Sequence, residues 1–363
     1  MKLFTLITIL LSMVGSLSAQ GNADTRTFYL GFTPFPYEIS LDGLQFAYGV
    51  IENDADIVAH HFDNGIPWNE ALNGEPYQEN IMEDWRLRQS MTPDDSIVYV
   101  AMTPISLLRD SLAPYRGEAD DMPLPEPWAS YEFDHPDVKQ AYLNHVVNTI
   151  EFFQPDYLAI GIEVNLLWNE TPALWDAYLT LHQETYIALK AEYPDLPIFI
   201  SVLGMSFMDG YRDEDDAPKH RELLVDLMEY SDLYGISLYP YLTSILTNDI
   251  PRSMWDEMFS LVDKPIAITE TGYPAQAFTV ANIPFNGTPE KQNAFIARLL
   301  QEAQARDFEF VINFINRDYD ALYAQINGGD LELLWRDTGL WDEDGNPRLA
   351  LTIWRDWLSK PLQ

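Results

Sequence analysis

Apolar residues along this chain come in two kinds of block. Short unbroken apolar runs recur, and between them lie longer stretches whose apolar residues return every third or fourth position. An unbroken run suits a strand covered on both faces, and the wider spacing suits a helix with one buried face. Strands read in this way fall at 28–33, 56–62, 96–104, 157–160, 198–203, 233–239, 265–268 and 308–315. Helical patterns follow them at 41–54, 78–91, 137–154, 174–189, 221–230, 253–262, 289–306 and 348–358. In the third of these, Val138, Tyr142, Val146, Ile150 and Phe153 mark the buried face. Thr288, Pro289 and Glu290 announce a helix start, with a capping hydroxyl followed by proline in the first turn. Strand and helix alternating eight times predicts an α/β protein of the (β/α)8 or TIM-barrel class, in a single domain. A doubly wound open sheet is the alternative, but no glycine-rich loop follows the first strand.

The first residues read differently. Met1 and Lys2 precede an uncharged apolar run over 3–17, then Ser18, Ala19 and Gln20, the pattern of a secretory signal peptide. The expectation is a signal over 1–20, the barrel over 21–363, and a secreted or periplasmic address. The 363 residues contain no cysteine, which excludes disulfides and thiolate zinc sites and leaves stability to core burial. With 57 acidic against 21 basic residues the net charge is -36, a surface that repels nucleic acid and anionic lipid. Neither is expected as a partner, and an acidic substrate is disfavoured. The acidic run over 209–216 reads as a solvated loop. Six histidines without an HxH or HExxH spacing predict no metal site, and no cofactor is expected.

Two of the strands end on a glutamate. The fourth leads through Gly161 to Glu163, and the seventh leads to Glu270. In a barrel the carboxyl ends of all strands converge on one face, so these two carboxylates would meet there. A lone strand-end glutamate more often satisfies a buried arginine. Two in the same context point to chemistry, and a carboxylate pair is what cleavage of a glycosidic bond requires. The second strand ends in His60, His61 and Asp63. Adjacent strand residues face opposite ways, so at most one histidine enters the cleft, and His61 is the candidate for a sugar hydroxyl. Trp68, Trp128, Tyr131, Phe133, Trp168, Tyr273, Trp335 and Trp341 lie in or near loops at that end and are candidates for stacking on sugar rings.

The segments IGIEVN around Glu163, ITETGYP around Glu270 and SLYPY over 237–241 resemble the retaining glycoside hydrolases of clan A, the 4/7 superfamily. They are most similar to its endo-β-1,4-galactanase family. GLWDEDGNPRLALTIW, near the end of the chain, resembles the closing segment of many barrel glycosidases. The resemblance implies that Glu163 is the acid/base, Glu270 the nucleophile, and Tyr239 a partner orienting Glu270. The clan places asparagine directly before the acid/base; Ile162 stands there in this chain, and Asn165 lies two residues beyond Glu163. Where many relatives present an aromatic platform after the eighth strand, this chain has Ile315, Asn316 and Arg317. The expected function is a monomeric, exported retaining glycosidase cleaving a neutral, galactan-like polysaccharide. Two alternatives stand beside it: a carbohydrate-binding barrel that has lost turnover, motivated by Ile162, and a metal-dependent hydrolase on the same fold.

Overall fold

A computed structural model describes residues 24–211, 216–243 and 251–363. The expected signal segment and residues 212–215 of the acidic run over 209–216 lie outside the described residues. The first half of the chain lays down β1 (Tyr29–Phe32), α1 (Leu41–Asp54), β2 (Ile57–Phe62), α2 (Trp68–Asn73), α3 (Glu79–Met91), β3 (Ile97–Met102), α4 (Pro136–Phe153), β4 (Tyr157–Ala159), α5 (Leu166–Glu170) and α6 (Trp175–Glu192). The second half adds β5 (Ile198–Leu203), α7 (Ala217–Glu229), β6 (Tyr234–Leu238), α8 (Arg252–Met258), β7 (Ile266–Thr271), β8 (Ala277–Val280), β9 (Ile283–Asn286), α9 (Pro289–Ala305), β10 (Phe310–Asn313), α10 (Asp320–Ile326), α11 (Asp330–Leu333) and α12 (Leu349–Leu358).

Eight of the strands are parallel and close into a barrel in the order β1-β10-β7-β6-β5-β4-β3-β2. Closure falls on β1, which pairs with β2 on one side and β10 on the other. Gly31 makes that approach possible: a Cβ there would lie 2.1 Å from the Ile57 carbonyl oxygen. Alternate residues of the strands point into the barrel, where Tyr99, Phe199 and Phe310 meet across the axis with ring centroids 5.0 to 6.3 Å apart. The other face of the strands packs on the helices, forming the larger core.

The helix starts follow local chemistry. The Thr288 hydroxyl accepts the Lys291 N–H at 3.3 Å, with Pro289 in the first turn of α9 as its sequence predicts. Helix α7 begins four residues before the predicted 221, because Asp216 caps it through the Lys219 N–H and Pro218 is tolerated in a first turn. The β8–β9 hairpin and the short helices α2, α5, α10 and α11 have no counterpart in the sequence pattern. Ala281 and Asn282 turn the hairpin with φ of 48° and 67°, and Phe278 stacks on Phe285 at 4.7 Å. None of the helices among the described residues is long and apolar enough to cross a membrane.

The chain ends are tied together beneath the barrel. The Arg26 guanidinium grips both Asp56 carboxylate oxygens at 2.6 Å and donates to the carbonyls of Phe28 and Lys360. Asp56 in turn accepts the Leu30 N–H, so one ion pair joins β1, the start of β2 and the C-terminal segment. Removing one member of such a pair leaves the other charge buried without compensation. Arg26→Ala is expected to lower unfolding free energy by about 3 kcal/mol, measured by urea denaturation with an unchanged far-UV spectrum.

Candidate active site

Glu163 stands where the β4–β5 ladder breaks. The Ile160 N–H donates to the Phe199 carbonyl at 2.8 Å, and in an unbroken parallel ladder the next donor would be Ile162 to Ser201. That bond is made by Val164 instead, at 3.1 Å, so two residues are inserted and Glu163 is lifted clear of the sheet. Its φ of 47° lies in the left-handed region, which costs a non-glycine residue roughly 1 to 2 kcal/mol. The preceding Gly161 has no room for a side chain, with Val164 Cγ1 2.6 Å and the Tyr178 hydroxyl 2.7 Å from the place a Cβ would take. Ile162 packs into the barrel interior with Ala159 and Phe199.

The Glu163 carboxylate lies 3.5 Å from Arg109 Nη2. That arginine comes from a tight turn after β3, in which the Arg109 N–H donates to the Ser106 carbonyl and the Ser106 N–H to the Ser111 carbonyl. A left-handed backbone at Arg109, with φ of 59°, turns its side chain inward while Leu107 and Leu108 stay exposed.

Glu270 is delivered by a second irregularity. In β7, Ile268 pairs with Val311 and Ile236, but the next pairings are Asn313 with Thr271 and Ser237 with Glu270. Both neighbours therefore register a bulge around Thr269, a device that re-aims side chains beside functional sites. The Tyr239 hydroxyl donates to Glu270 Oε2 at 3.1 Å, and His61 Nδ1 lies 3.5 Å from Oε1. The other ring nitrogen of His61 lies 3.5 Å from Asp63 Oδ2, so the imidazole bridges two carboxylates. His60, one residue earlier, points outward to Thr92 and Phe153.

The charges in the cleft act on one another. Burial pushes the Glu270 carboxyl up to about 7; the neighbouring His61 opposes this and Glu163 adds to it. Burial alone would lower His61, but Asp63, Glu270 and Glu163 together lift it to about 9. Burial would raise Asp63, and His61 and Arg109 outweigh it so that the carboxyl falls below its usual value. Tyr239 is pushed well above 10 by burial, then by Glu270, Tyr241 and Glu163. Glu163 follows β4 and Glu270 ends β7, so both stand at the carboxyl-terminal mouth of the barrel, near enough for Glu163 to act on Glu270, His61 and Tyr239.

An aromatic wall stands beside them. Phe314 is half-buried just past the end of β10, 5.6 Å from the His61 ring, and Trp335 lies 6.4 Å from Phe314 and 6.1 Å from Tyr239. The structure thus brings together Glu163, Glu270, Tyr239, His61, Asp63 and the predicted Trp335, and adds Arg109 and Phe314. Phe314 was hidden in the apolar run over 308–315, which the strand leaves at Asn313. Arg109 carries no sequence signal, since its position depends on a turn with no periodicity.

The remaining candidates are engaged elsewhere, and stacking on a sugar needs an open ring face. Trp68 is fully buried, stacks on Trp128 at 5.3 Å and donates to the Ala113 carbonyl. Trp128 and Phe133 are buried, and Tyr131 lies against His135. Tyr273 is buried between Tyr241 and Phe295, and Trp341 packs edge-on to Phe32 and Phe46. Trp168 is half-buried, with Lys219 Nζ 5.0 Å above its ring. Asn165 is buried with its amide on the Leu203 backbone, and Asn316 is buried with its backbone carbonyl accepting from Leu340 and Trp341 while its side-chain amide makes no hydrogen bond. Among the described residues no cluster of His, Asp and Glu is arranged to hold a metal ion. A separate hollow of about 920 Å³ lies by Tyr29, Asp56 and Ile97, at the amino-terminal ends of the strands and away from both glutamates.

No protein-family model matches the chain. An arabinogalactan endo-beta-1,4-galactanase of Thermothelomyces thermophilus is 25% identical over 135 residues, 34% of this chain and 37% of the relative, so the chain matches little more than a third of that protein's length. Among solved structures, the GH53 catalytic domain of Ignisphaera aggregans superposes with a TM-score of 0.56 and 17% identity, covering 90% of this chain and 91% of its own. A GH5_18 protein from Streptomyces cattleya, in complex with GlcNAc, gives 0.63 and 12% over 93% and 83%. A fungal beta-1,4-galactanase gives 0.55 and 14% over 91% and 94%. This chain has the same (β/α)8 barrel as those structures.

The Asp63–His61–Glu270 bridge predicts a titration. Removing a cation a few ångströms from a carboxylate raises its pKa, so in His61→Gln the Glu270 carboxyl is expected to titrate roughly 1 to 3 pH units higher. Carbon-13 NMR of labelled glutamate side chains measures it. His61 itself lies above its ordinary 6.5, so its contribution to stability is complete below about pH 6.5 and is lost as pH rises through about 9. The same variant is expected to lack that part of the alkaline decline in Tm.

Proposed function

We propose that this protein is a retaining glycoside hydrolase that cleaves a neutral, galactan-like polysaccharide by double displacement. The observation that carries the reading is a pair of strand-end glutamates facing one cleft in opposite surroundings. Glu163 stands beside Arg109, whereas Glu270 is held between a tyrosine hydroxyl and a histidine. Glu163 is the general acid: it protonates the leaving oxygen as the glycosidic bond breaks. Glu270 attacks the anomeric carbon from the other side, forming a glycosyl ester. Tyr239 and His61 keep its two oxygens oriented and favour the anion that attacks. In the second step Glu163 takes a proton from water as the water attacks the anomeric carbon; the bond from that carbon to Glu270 breaks, freeing the carboxylate, and the sugar leaves with its original anomeric configuration. Phe314 and Trp335 offer the apolar wall on which a sugar ring stacks.

The net charge of -36 supports a neutral substrate over a polyanionic one. The partial likeness to an arabinogalactan endo-galactanase supports a galactan-like polymer. The apolar run over 3–17 supports export.

Incubation with a panel of neutral polysaccharides, β-1,4-galactan among them, is expected to release reducing ends, and proton NMR of the first product to show retained configuration. Glu270→Ala and Glu163→Ala are each expected to lower kcat on polysaccharide by roughly 10⁴-fold or more. The nucleophile must be ionised, so kcat/KM is expected to rise with pH through about 7. Tight binding to a polysaccharide with no product from any member of the panel would favour the carbohydrate-binding barrel instead.

A further inference from the structure

Glu163 occupies a backbone conformation that its own side chain disfavours, so something outside the residue must hold it there. The bonds that bridge the broken ladder run to β5, while the Glu163 carbonyl accepts the Leu166 N–H of the turn that follows. Ser201 donates its N–H to the Gly161 carbonyl at 2.9 Å and accepts the Val164 N–H on its carbonyl at 3.1 Å. Its Oγ accepts the Glu163 N–H at 3.0 Å, a bond the interrupted ladder does not supply. Two residues later, the Asn165 side chain takes over the work of a backbone. Its Oδ1 accepts the Leu203 N–H at 2.8 Å and its Nδ2 donates to the Leu203 carbonyl at 3.3 Å, the pair of bonds a neighbouring strand would make. Both side chains are 1% exposed, and neither can reach a sugar. The lifted segment is therefore pinned on both sides of the acid/base.

We propose that Ser201 and Asn165 are positioning residues that fix the height and direction of the Glu163 carboxylate at the leaving-group oxygen. This rests on the glycosidase reading. A carboxylate displaced by a fraction of an ångström transfers its proton late, and the penalty falls on bonds whose leaving group needs that proton. An activated aryl leaving group departs without it. The glycosyl ester then accumulates, because water is no longer activated well. Azide, which needs no base, attacks the anomeric carbon of the ester; the carbon–oxygen bond to Glu270 breaks, and a glycosyl azide leaves.

The test uses the full chain and its Ser201→Ala and Asn165→Ala variants. The substrates are the polysaccharide most rapidly cleaved in the panel and a dinitrophenyl glycoside of the same sugar, with and without sodium azide. The expected result is a loss of roughly 10- to 100-fold in kcat on polysaccharide at nearly constant KM. The loss in kcat/KM on the aryl glycoside should be smaller, and azide should accelerate the variants while leaving the wild type unchanged. Ser201→Ala removes a single buried oxygen, so it serves where Asn165→Ala folds poorly. Equal losses on both substrates without an azide effect, or an unchanged kcat in folded Ser201→Ala, would overturn the assignment. A wild type that turns over neither substrate overturns the glycosidase reading, and this inference with it.

Discussion

A parallel strand sends its side chains alternately to the barrel interior and to the helices, and this alternation constrains the whole site. Continued without interruption, it reaches the mouth only near a strand's carboxyl end, as His61 does from the unbroken β2. Both glutamates stand at the places where the ladder fails. Two inserted residues put Glu163 above β5, and a bulge recorded by both neighbours of β7 turns Glu270 toward β6 and β2. The interruptions require support. Gly161 admits the close approach of Val164 and Tyr178, and Ser201 meets the N–H that the break exposes. The cleft is thus a property of two local defects in an otherwise regular cylinder.

The defects would be untenable without charge compensation. Three carboxylates, Glu163, Glu270 and Asp63, share a cleft in a chain with a net charge of -36, and self-repulsion would protonate some of them. Two cations stand among them. His61 bridges Glu270 and Asp63, and Arg109 reaches Glu163 from a separate loop. The arrangement leaves the two glutamates unequal: one sits beside a permanent cation, the other beside a group that can lose its charge. The proposed double displacement needs Glu270 as the anion; burial works against that charge, and His61 and the Tyr239 hydroxyl work for it.

Much of this was legible in the sequence, and the reasons are specific. Strands buried on both faces read as unbroken apolar runs, so the eight barrel strands emerged with the correct order and approximate limits. Strict alternation separated His61 from His60. What was not legible depends on contacts remote in sequence. Arg109 reaches the cleft through a turn whose backbone angles no pattern encodes, and the hairpin over 277–286 turns on Ala281-Asn282 without the usual Asn-Gly signal. The loop tryptophans misled for a different reason. A ring as large as Trp68 or Trp341 gains more from burial in the main core than from exposure at a rim: Trp68 opens α2 and stacks on Trp128, and Trp341 packs on Phe32 of β1 and Phe46 of α1.

Ile162 shows why letters and positions part company. In the resembling clan, the residue directly before the acid/base is an asparagine that contacts the substrate, so an isoleucine there reads as a lost function. That comparison assumes a continuous ladder up to the glutamate. Here the ladder breaks first, and the side chain before Glu163 drops into the barrel with Ala159 and Phe199, where an aliphatic residue is what the packing requires. An asparagine at 162 would bury an amide in that apolar layer, and a buried amide without partners is costly. The amide that this segment does need lies at Asn165, on the far side of the break, joined to the Leu203 backbone. The isoleucine and the asparagine thus each answer the same break in the ladder, one on either side of Glu163. Aligning the motif by its glutamate alone conceals both.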